Sequence, residues 1–304
     1  MCNYYCSGVC ITYEKIRMFL GNLSGIFRRL FLFLTVSSIF TGAAGFFVTY
    51  MAFILLGLVP RIQICLSVFL MVFSVYNLNR LTDLKEDAIN IPERLGFIAS
   101  RKKFILYCSL IAYAFSALPV YLDNPLELPI IFIPLATNAV YSFQYIPGIP
   151  RFKDIPIMKN VFVATSLTLV CVLLPAAHLS AGAGTLLMIV AIFILIKLYI
   201  NTVLYDIRDI EGDKENGIRT LPVLIGSKKT IGVLLALNCV NLIWILLANS
   251  NIRPIAATLI LYGYLYIIYF RKRRNFMVMD LFVDGEWILA GILLLALKGL
   301  GSWA

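Results

Sequence analysis

The sequence predicts an all-α integral membrane protein: a bundle of about nine transmembrane helices preceded by an N-terminal interfacial helix. Three observations support this prediction. Hydrophobic residues make up 61% of the 304 residues and charged residues only 14%, whereas a soluble domain has about 25% charged residues. Nine apolar stretches approach the roughly 20 residues that a helix needs to cross a bilayer. Finally, Lys and Arg concentrate in every second connection between these stretches.

The first 30 residues read as a cytoplasmic tail and an amphipathic helix, ahead of a membrane domain over residues 31–304. Residues 1–10 lack the basic start and apolar core of a signal peptide. From Ile11 to Leu30, apolar residues recur at helical spacing with Lys and Arg between them. This pattern is typical of a helix that lies on the membrane surface.

Three of the seven cysteines, Cys2, Cys6 and Cys10, are spaced by four in this tail. They could bind a metal ion, but no nearby His or fourth Cys completes a zinc site. A flexible tail is the favoured interpretation, and no disulfide framework is inferred.

The nine predicted spans follow one another through residues 31–304. They cover approximately residues 31–56, 62–82, 103–122, 127–146, 157–176, 183–206, 229–248, 254–270 and 282–299. Pro129 and Pro134 predict a kink in the fourth span, because an internal proline removes a helix hydrogen bond.

The distribution of positive charge predicts the orientation of the bundle. The N-terminal segment and the connections after the even-numbered spans hold 22 of the 26 Lys and Arg residues. By the positive-inside rule, the N-terminus is cytoplasmic and the C-terminus is outside. The net charge of +10 is spread over short loops, which favours membrane orientation over nucleic-acid binding.

Two acidic clusters follow even-numbered spans, which places both on the cytoplasmic side. Asn79, Asp83 and Asp87 are spaced by four after span two, and Asp209 and Asp213 repeat this spacing after span six. Residues four apart share one face of a helix. Because clustered carboxylates repel one another and Mg²⁺ prefers oxygen ligands shared with phosphates, two facing clusters are suited to hold a Mg²⁺-diphosphate.

The two clusters also have simpler interpretations. Each could be an ordinary polar loop with local ion pairs. A calcium loop over residues 209–220 is disfavoured, because Lys214 and Thr220 stand where glycine and glutamate are needed. The segment Gly226–Thr230 lacks the glycine pattern of a phosphate-binding loop.

The first motif, Asn79-x3-Asp83-x3-Asp87, resembles the first signature of the UbiA superfamily of intramembrane prenyltransferases. Asp206-x2-Asp209-x3-Asp213, which runs into Gly217–Pro222, is similar to the second signature. Tyr141 and Ser142, followed by Lys153 and Asn160, resemble the middle segment. The resemblance covers nearly the whole chain.

This resemblance implies a Mg²⁺-dependent transfer of a prenyl group from a polyprenyl diphosphate to a hydrophobic acceptor in the membrane. It implies that Mg²⁺ is bound by four catalytic carboxylates, those of Asp83, Asp87, Asp209 and Asp213. Asn79 would support them, Lys153 and Arg208 would contact the diphosphate, and Tyr141 would line the pocket. Alternatively, Lys153 and Arg208 are only positive-inside charges, and Tyr141 is an interfacial aromatic residue.

The sequence departs from the family pattern at Arg80, where a second acidic residue is common, and at Leu95, where many members have proline. Two further features remain open. Lys197, within span six, is either a functional charge or the donor of a structural hydrogen bond. Asp280 and Asp284 could close the site, although pairing with Arg271–Arg274 is favoured.

The sequence leaves several functional questions open. The acceptor could be an aromatic quinone precursor, a glycerol-phosphate ether lipid or another isoprenoid, and the length of the donor chain is equally undetermined. A competing class is a transporter or channel that binds cations, which predicts ionisable residues and broken helices near the bilayer midplane. A non-catalytic membrane scaffold is a third class.

Overall fold

A computed structural model of the protein describes residues 25–82, 84–142, 155–180, 182–248, 252–272 and 275–299. For residues 85–87, 93, 141–142 and 297–299 it describes the backbone alone. These segments are helices joined by short connections, with no strand among them, which confirms the all-α prediction. The cysteines of the tail and most of the predicted interfacial helix lie outside the described residues.

Fifteen α-helices and one 3₁₀ turn make up the described part of the chain. In the first half they are α1 (Gly25–Val36), α2 (Ile39–Leu55), α3 (Ile62–Thr82), α4 (Leu84–Asn90), α5 (Pro92–Ala99), α6 (Lys102–Asp123), the 3₁₀ turn Pro125–Glu127, and α7 (Leu128–Ser142). In the second half they are α8 (Met158–Ala176), α9 (Gly184–Glu215), α10 (Leu221–Ile225), α11 (Ser227–Val240), α12 (Leu242–Leu247), α13 (Arg253–Tyr269), α14 (Phe276–Val283) and α15 (Gly285–Gly299).

Several of these helices are long and apolar enough to cross a membrane. Within the described residues there are five, namely α3, α6, α8, α9 and the α11–α12 segment Ser227–Leu247, and the bent pair α1–α2 makes a sixth. Three shorter apolar helices, Pro125–Val140, Arg253–Tyr269 and Gly285–Ala296, overlap the predicted fourth, eighth and ninth spans. The multi-span prediction is confirmed, while the count of nine stays a prediction.

The first predicted span, residues 31–56, is not one helix. The chain bends by 71° between α1 and α2, and Ser38 adopts a left-handed conformation with φ 63°. The bend frees backbone carbonyls, which must find donors when buried. Arg80 Nη1 donates to the carbonyls of Thr35 (3.2 Å) and Val36 (2.7 Å), and Asn77 Nδ2 donates to that of Ser37 (3.0 Å). Arg80, an unusual residue in the first motif, thereby stabilises this bend.

The sixth predicted span continues nine residues beyond its expected end at residue 206. Helix α9 reaches Glu215 and ends in a Schellman motif, in which Ile218 N–H donates to Asp213 O (2.8 Å) and Gly217 N–H donates to Lys214 O (3.2 Å). Gly217 has φ 72°, which glycine adopts without steric strain. The whole second acidic cluster therefore lies on one continuous helix.

Close packing of α2, α3, α8 and α9 forms the largest buried cluster, which includes Met51, Phe53, Met71 and Phe193. Helices α2 and α3 approach closely at Gly45, where an added Cβ would lie 2.7 Å from Val72 Cγ2. Small residues permit such close helix packing in membranes. Helix α15 covers α2 through Trp287, which completes the wall of the bundle behind the acidic cluster.

Candidate active site

A cavity of about 190 Å³ opens at the end of the bundle where α3 and α9 finish. Its wall combines charged residues from α3, α5, α8, α9 and α14. The carboxylates in the wall belong to Asp206, Asp209, Asp213, Asp280 and Asp284, and the cations belong to Arg80, Arg94, Lys159 and Arg208. So dense a group of charges beside a cavity is suited to an anionic ligand that carries its own cations.

The three acids of α9 share one face of the helix, because their spacing of three and four residues returns them to the same side. Asp206 is 2% exposed and Asp213 is 1% exposed. Thr220, just after the helix end, donates its hydroxyl hydrogen to Asp213 Oδ2 (3.1 Å). The motif after α9 therefore orients the last acid of the cluster.

Helix α8 begins beside this acidic face and brings two polar side chains to it. Lys159 Nζ donates to Asp206 Oδ1 (3.0 Å) and lies 3.8 Å from Asp213 Oδ1. Asn160 Nδ2 donates to Asp206 Oδ2 (2.7 Å). Helix α8 therefore engages both carboxylate oxygens of Asp206 and links this residue to Asp213 through Lys159.

Arg208 forms a bidentate ion pair with its neighbour Asp209. Its Nε donates to Oδ1 (2.7 Å) and its Nη2 donates to Oδ2 (2.8 Å). Its Nη1 lies 3.7 Å from Asp280 Oδ1. Burial raises the pKa of Asp280, and the nearby Arg208 guanidinium opposes that rise. Arg208 thus connects the acids of α9 with those of α14.

A hydrogen bond joins the end of α4 to α9, the helix that carries the second acidic motif. Asn90 Oδ1 accepts a hydrogen bond from Gly212 N–H (3.1 Å). A Cβ on Gly212 would lie 2.5–2.7 Å from the Asn90 amide group, so only glycine permits this contact. Asn90 ends the short helix α4 that carries Asp87, and α4 packs directly on α9.

The structure brings four residues of the predicted site together, namely Asn79, Arg208, Asp209 and Asp213. Asp83 and Lys153 lie outside the described residues, as do the side chains of Asp87 and Tyr141. The sequence prediction assigned Arg208 to diphosphate and Asp209 to Mg²⁺, but here the two pair with each other, because a guanidinium matches a carboxylate in shape and charge.

The sequence-based site omitted Lys159, Asn160 and Asp206, although Asp206 and Asn160 belong to the quoted motifs. It also favoured pairing of Asp280 and Asp284 with Arg271–Arg274. In the described residues, both acids line the cavity instead and Asp280 faces Arg208. Asp280 and Asp284 are four residues apart at the end of an apolar segment, as other cavity acids are, and this spacing was the sequence pattern that pointed to them.

The donor set of the cavity fits Mg²⁺. Carboxylate and amide oxygens are hard ligands of the kind that Mg²⁺ prefers. The buried Asn160 Oδ1, on the cavity wall, accepts no hydrogen bond from any described residue. A buried acceptor left without a donor is unfavourable, and a hydrated cation or a substrate hydroxyl would satisfy it.

Two apolar clefts adjoin the polar cavity, and Tyr76 lines all three spaces. The first cleft, about 70 Å³, lies between α3, α7 and α8 and includes Thr137 and Ser166. The second, about 40 Å³, lies between α2, α3, α8 and α9 and includes Val72 and Cys171. The site therefore has one charged compartment and two apolar extensions.

The fold and this site together define a multi-span membrane protein that presents a polyacidic binding cavity at one end of its helices. The model of the UbiA prenyltransferase family matches residues 30–277. The chain belongs to this family.

Curated relatives of the chain share one name. The digeranylgeranylglyceryl phosphate synthase of Thermococcus kodakarensis is 31% identical over 190 residues, which are 60% of this chain and 64% of that protein. The synthase of the same name from Pyrococcus furiosus is 31% identical over 149 residues, or 48% of this chain and 50% of that protein. The chain thus spans less than two thirds of the length of these relatives.

Solved structures of a UbiA homologue from Archaeoglobus fulgidus have the same fold. The form bound to GPP and Mg²⁺ superimposes with a TM-score of 0.60 at 16% identity. The form bound to DMAPP and Mg²⁺ gives 0.59 at 17% identity. Each comparison covers 87% of this chain and 99% of the other.

Proposed function

We propose that this chain is a Mg²⁺-dependent prenyltransferase that joins the prenyl group of a polyprenyl diphosphate to a glycerol-phosphate ether lipid in the membrane. The observation that carries the proposal is the juxtaposition of a carboxylate-rich cavity with two apolar clefts. The charged compartment suits the diphosphate, and the clefts suit hydrocarbon chains. The names of the curated relatives favour this acceptor over a quinone precursor.

Asp209 and Asp213 would hold Mg²⁺ together with Asp83 and Asp87 of the first motif. When bound, Mg²⁺ offsets the negative charge that develops on a departing diphosphate. Asp206 would remain a positioning residue, held by the hydrogen bond from the buried Asn160, which stays in place when the cations change partners. The Asn90–Gly212 hydrogen bond would keep the two motifs in register.

Arg208 and Lys159 would exchange partners when the substrate binds. In the free protein, Arg208 neutralises Asp209. Lys159 lies between Asp206 and Asp213 and neutralises both. Substrate phosphate oxygens would accept hydrogen bonds from the same two cations, which frees carboxylate oxygens for metal. The exchange keeps the buried charges paired at each stage, which is necessary because an unpaired buried charge is strongly unfavourable.

The apolar clefts would protect the reacting carbon from water. Loss of diphosphate leaves an allylic carbocation, which water would quench and a dry pocket protects. Tyr76 and Tyr205 separate the charged compartment from the apolar second cleft. The part of each chain nearest its reactive end would enter one cleft and the rest would extend into lipid, so that the two reactive ends meet beside Tyr76.

The acceptor's own phosphate adds a second anion, for which the cavity has further cations in its wall. Besides Lys159 and Arg208, the guanidinium-bearing residues Arg80 and Arg94 line it. An aromatic acceptor such as 4-hydroxybenzoate would bring the single charge of its carboxylate, whereas a phosphate monoester brings about −1.5 to −2. We also propose that the cavity faces the cytoplasm, as the Lys and Arg distribution predicts. A Lys214→Cys variant and a membrane-impermeant maleimide test that orientation. If the cavity faces the cytoplasm, the reagent labels this position only after the cells are opened.

The experiment that tests the proposal is an assay of the purified full-length chain in detergent. Labelled geranylgeranyl diphosphate is supplied with Mg²⁺ and either geranylgeranylglyceryl phosphate or 4-hydroxybenzoate, beside Asp209→Asn and Asp213→Asn variants. Glu215→Gln, an exposed carboxylate on the same helix, is the matched control. We expect a prenylated ether lipid that requires Mg²⁺, is absent in both Asp variants and persists in the control. Product from the aromatic acceptor alone would overturn the acceptor assignment.

A cation transporter is the competing function, and the described residues disfavour it. That class predicts ionisable groups along an open path near the midplane. The central pair Lys197–Glu286 is instead fully buried, and neither residue lines the cavity or its two apolar clefts.

A further inference from the structure

A second group of metal-ligating side chains lies at the opposite end of the bundle from the cavity. Asp123 ends α6, Glu127 belongs to the 3₁₀ turn before α7, and His178 follows α8. Each offers a ligand atom, and these atoms lie within 4.8 Å of one another. Helix α3 separates this end from the cavity by about 30 Å.

Within this group, Glu127 is the carboxylate for which the described residues supply neither a hydrogen-bond donor nor a cation. It is 4% exposed, and neither carboxylate oxygen has a hydrogen-bond partner among the described residues. Arg61 forms an ion pair with Asp123, but no described cation lies within 4.0 Å of Glu127. A buried carboxylate without a partner is costly, so it requires either a cation or a proton.

The other two members are held in position around it. His178 Nε2 lies 3.0 Å from Asp123 Oδ2. The imidazole ring stacks on Phe53 with ring centroids 6.3 Å apart and planes inclined by 17°. Two connections of the bundle, α6–α7 and α8–α9, therefore deliver one nitrogen and two carboxylate groups to one point.

We propose that Asp123, Glu127 and His178 form a binding site for a divalent metal of the zinc class, with water as a fourth ligand. Zinc accepts mixed imidazole and carboxylate ligands at about 2.0–2.2 Å in tetrahedral geometry, whereas Mg²⁺ prefers oxygen alone. Ligand atoms on a tetrahedral zinc ion lie about 3.4 Å apart. Side-chain shifts of about 1 Å would therefore close the present group around an ion.

The site would join the outer ends of α6, α7 and α8. Binding of an ion to the folded state alone raises its stability, by an amount that grows with the logarithm of the ion concentration above Kd. The site would thus act as a clamp distant from the cavity. It does not depend on the proposed prenyl transfer, which continues at the other end of the bundle.

The test is zinc binding by the full-length chain in detergent, measured by competition with a chromogenic zinc chelator in excess Mg²⁺. A Cys2→Ser, Cys6→Ser, Cys10→Ser background removes thiols that would bind zinc. Glu127→Gln keeps the shape of the side chain and removes its charge, and His178→Gln removes the imidazole. Asp213→Asn is the matched control at the cavity.

We expect one zinc ion per chain in the background and in Asp213→Asn, with binding at least tenfold weaker in Glu127→Gln and His178→Gln. Zinc raises the melting temperature of the background protein and of Asp213→Asn, and it leaves the melting temperatures of Glu127→Gln and His178→Gln unchanged. Co²⁺ in place of zinc gives a visible absorption band that His178→Gln abolishes. Zinc binding that survives Glu127→Gln, or that disappears in Asp213→Asn, would overturn the proposal. So would the absence of zinc binding in the background, which would mean that Glu127 is protonated.

Discussion

Two charged clusters lie on the same helix, α9, and differ in how completely the protein neutralises them. Lys197 is fully buried and donates to Glu286 Oε1 (2.6 Å), to the Leu259 carbonyl (2.9 Å) and to the Tyr266 hydroxyl (3.1 Å). About 13 to 24 Å further along the helix, Asp206, Asp209 and Asp213 line an open cavity. The first cluster has one carboxylate for one cation, while the second, with the acids of α9 and those of α14, gathers five carboxylates and four cations in its described wall.

This difference separates charge that supports the fold from charge that is available to a ligand. All three ammonium hydrogens of Lys197 have acceptors within the protein, and Lys197 lines neither the cavity nor its two apolar clefts. The aspartates at the other end of α9 are also paired with cations. They line the cavity, however, where a bound ligand can take the place of those cations. Burial of an ionisable group is therefore a weak guide to function in this bundle, and the adjoining cavity is the stronger one.

The largest expected effect comes from Lys197→Met, which leaves Glu286 buried without its cation. Removing one partner of a buried pair costs about 3–5 kcal/mol, so we expect a large fall in melting temperature in detergent. Lys197→Met combined with Glu286→Leu should recover most of the loss, because no unpaired charge remains. A single variant as stable as the unmodified protein would show that the pair is not structural.

Asp213→Asn should have the next largest effect, on activity and not on stability. Removing one group that stabilises charge in a transition state typically lowers the rate by about 10²–10³. We expect a loss of this size in kcat for prenyl transfer at saturating Mg²⁺, with a melting temperature close to that of Glu215→Gln. Equal kcat values for the two variants would contradict the role assigned to Asp213.

Gly212→Ala tests whether the two acidic motifs must remain in contact. The new methyl group would overlap the Asn90 amide, and overpacking costs about 1–3 kcal/mol. We expect weaker Mg²⁺ activation, because α4 is displaced from α9. Gly232→Ala, where an added Cβ meets no atom within 4 Å, is the control. Identical Mg²⁺ dependence in both variants would show that the contact is dispensable.

The smallest expected effect is that of Lys159→Met. A hydrogen bond to a charged group contributes about 1.5 kcal/mol, which corresponds to about a tenfold rise in KM for the prenyl diphosphate. The exposed Lys228→Met is the control for loss of positive charge. If KM stays constant and only kcat falls, Lys159 positions Asp206 and does not contact phosphate.

Sequence patterns predicted much of this organisation because hydrophobic length and acidic spacing are local properties. The bounds predicted for the second span, residues 62–82, coincide with α3, and both acidic motifs were expected at one end of the bundle. The bend at Ser38 was missed because its cause is distant in sequence. It depends on donors from Arg80 and Asn77, about 40 residues away.

The same limitation applies to the composition of the site. Asp280 reaches Arg208 only through the packing of α14 on α9, which no periodicity reveals. His178 likewise belongs to none of the sequence motifs, and its proximity to Glu127 depends on how two connections 51 residues apart fold together. Acids that share a helix face can be predicted from spacing, whereas acids that meet across the bundle cannot.

The most direct measurement compares two double variants for Mg²⁺-dependent conversion of labelled geranylgeranyl diphosphate with the ether-lipid acceptor. One is Asp209→Asn with Asp213→Asn, and the other is Lys197→Met with Glu286→Leu. If the cavity carboxylates hold the Mg²⁺-diphosphate, the first variant is inactive although folded, and the second retains most of the activity. Activity that survives in the first variant, or that is lost only in the second, would contradict the assignment of the active site to the cavity.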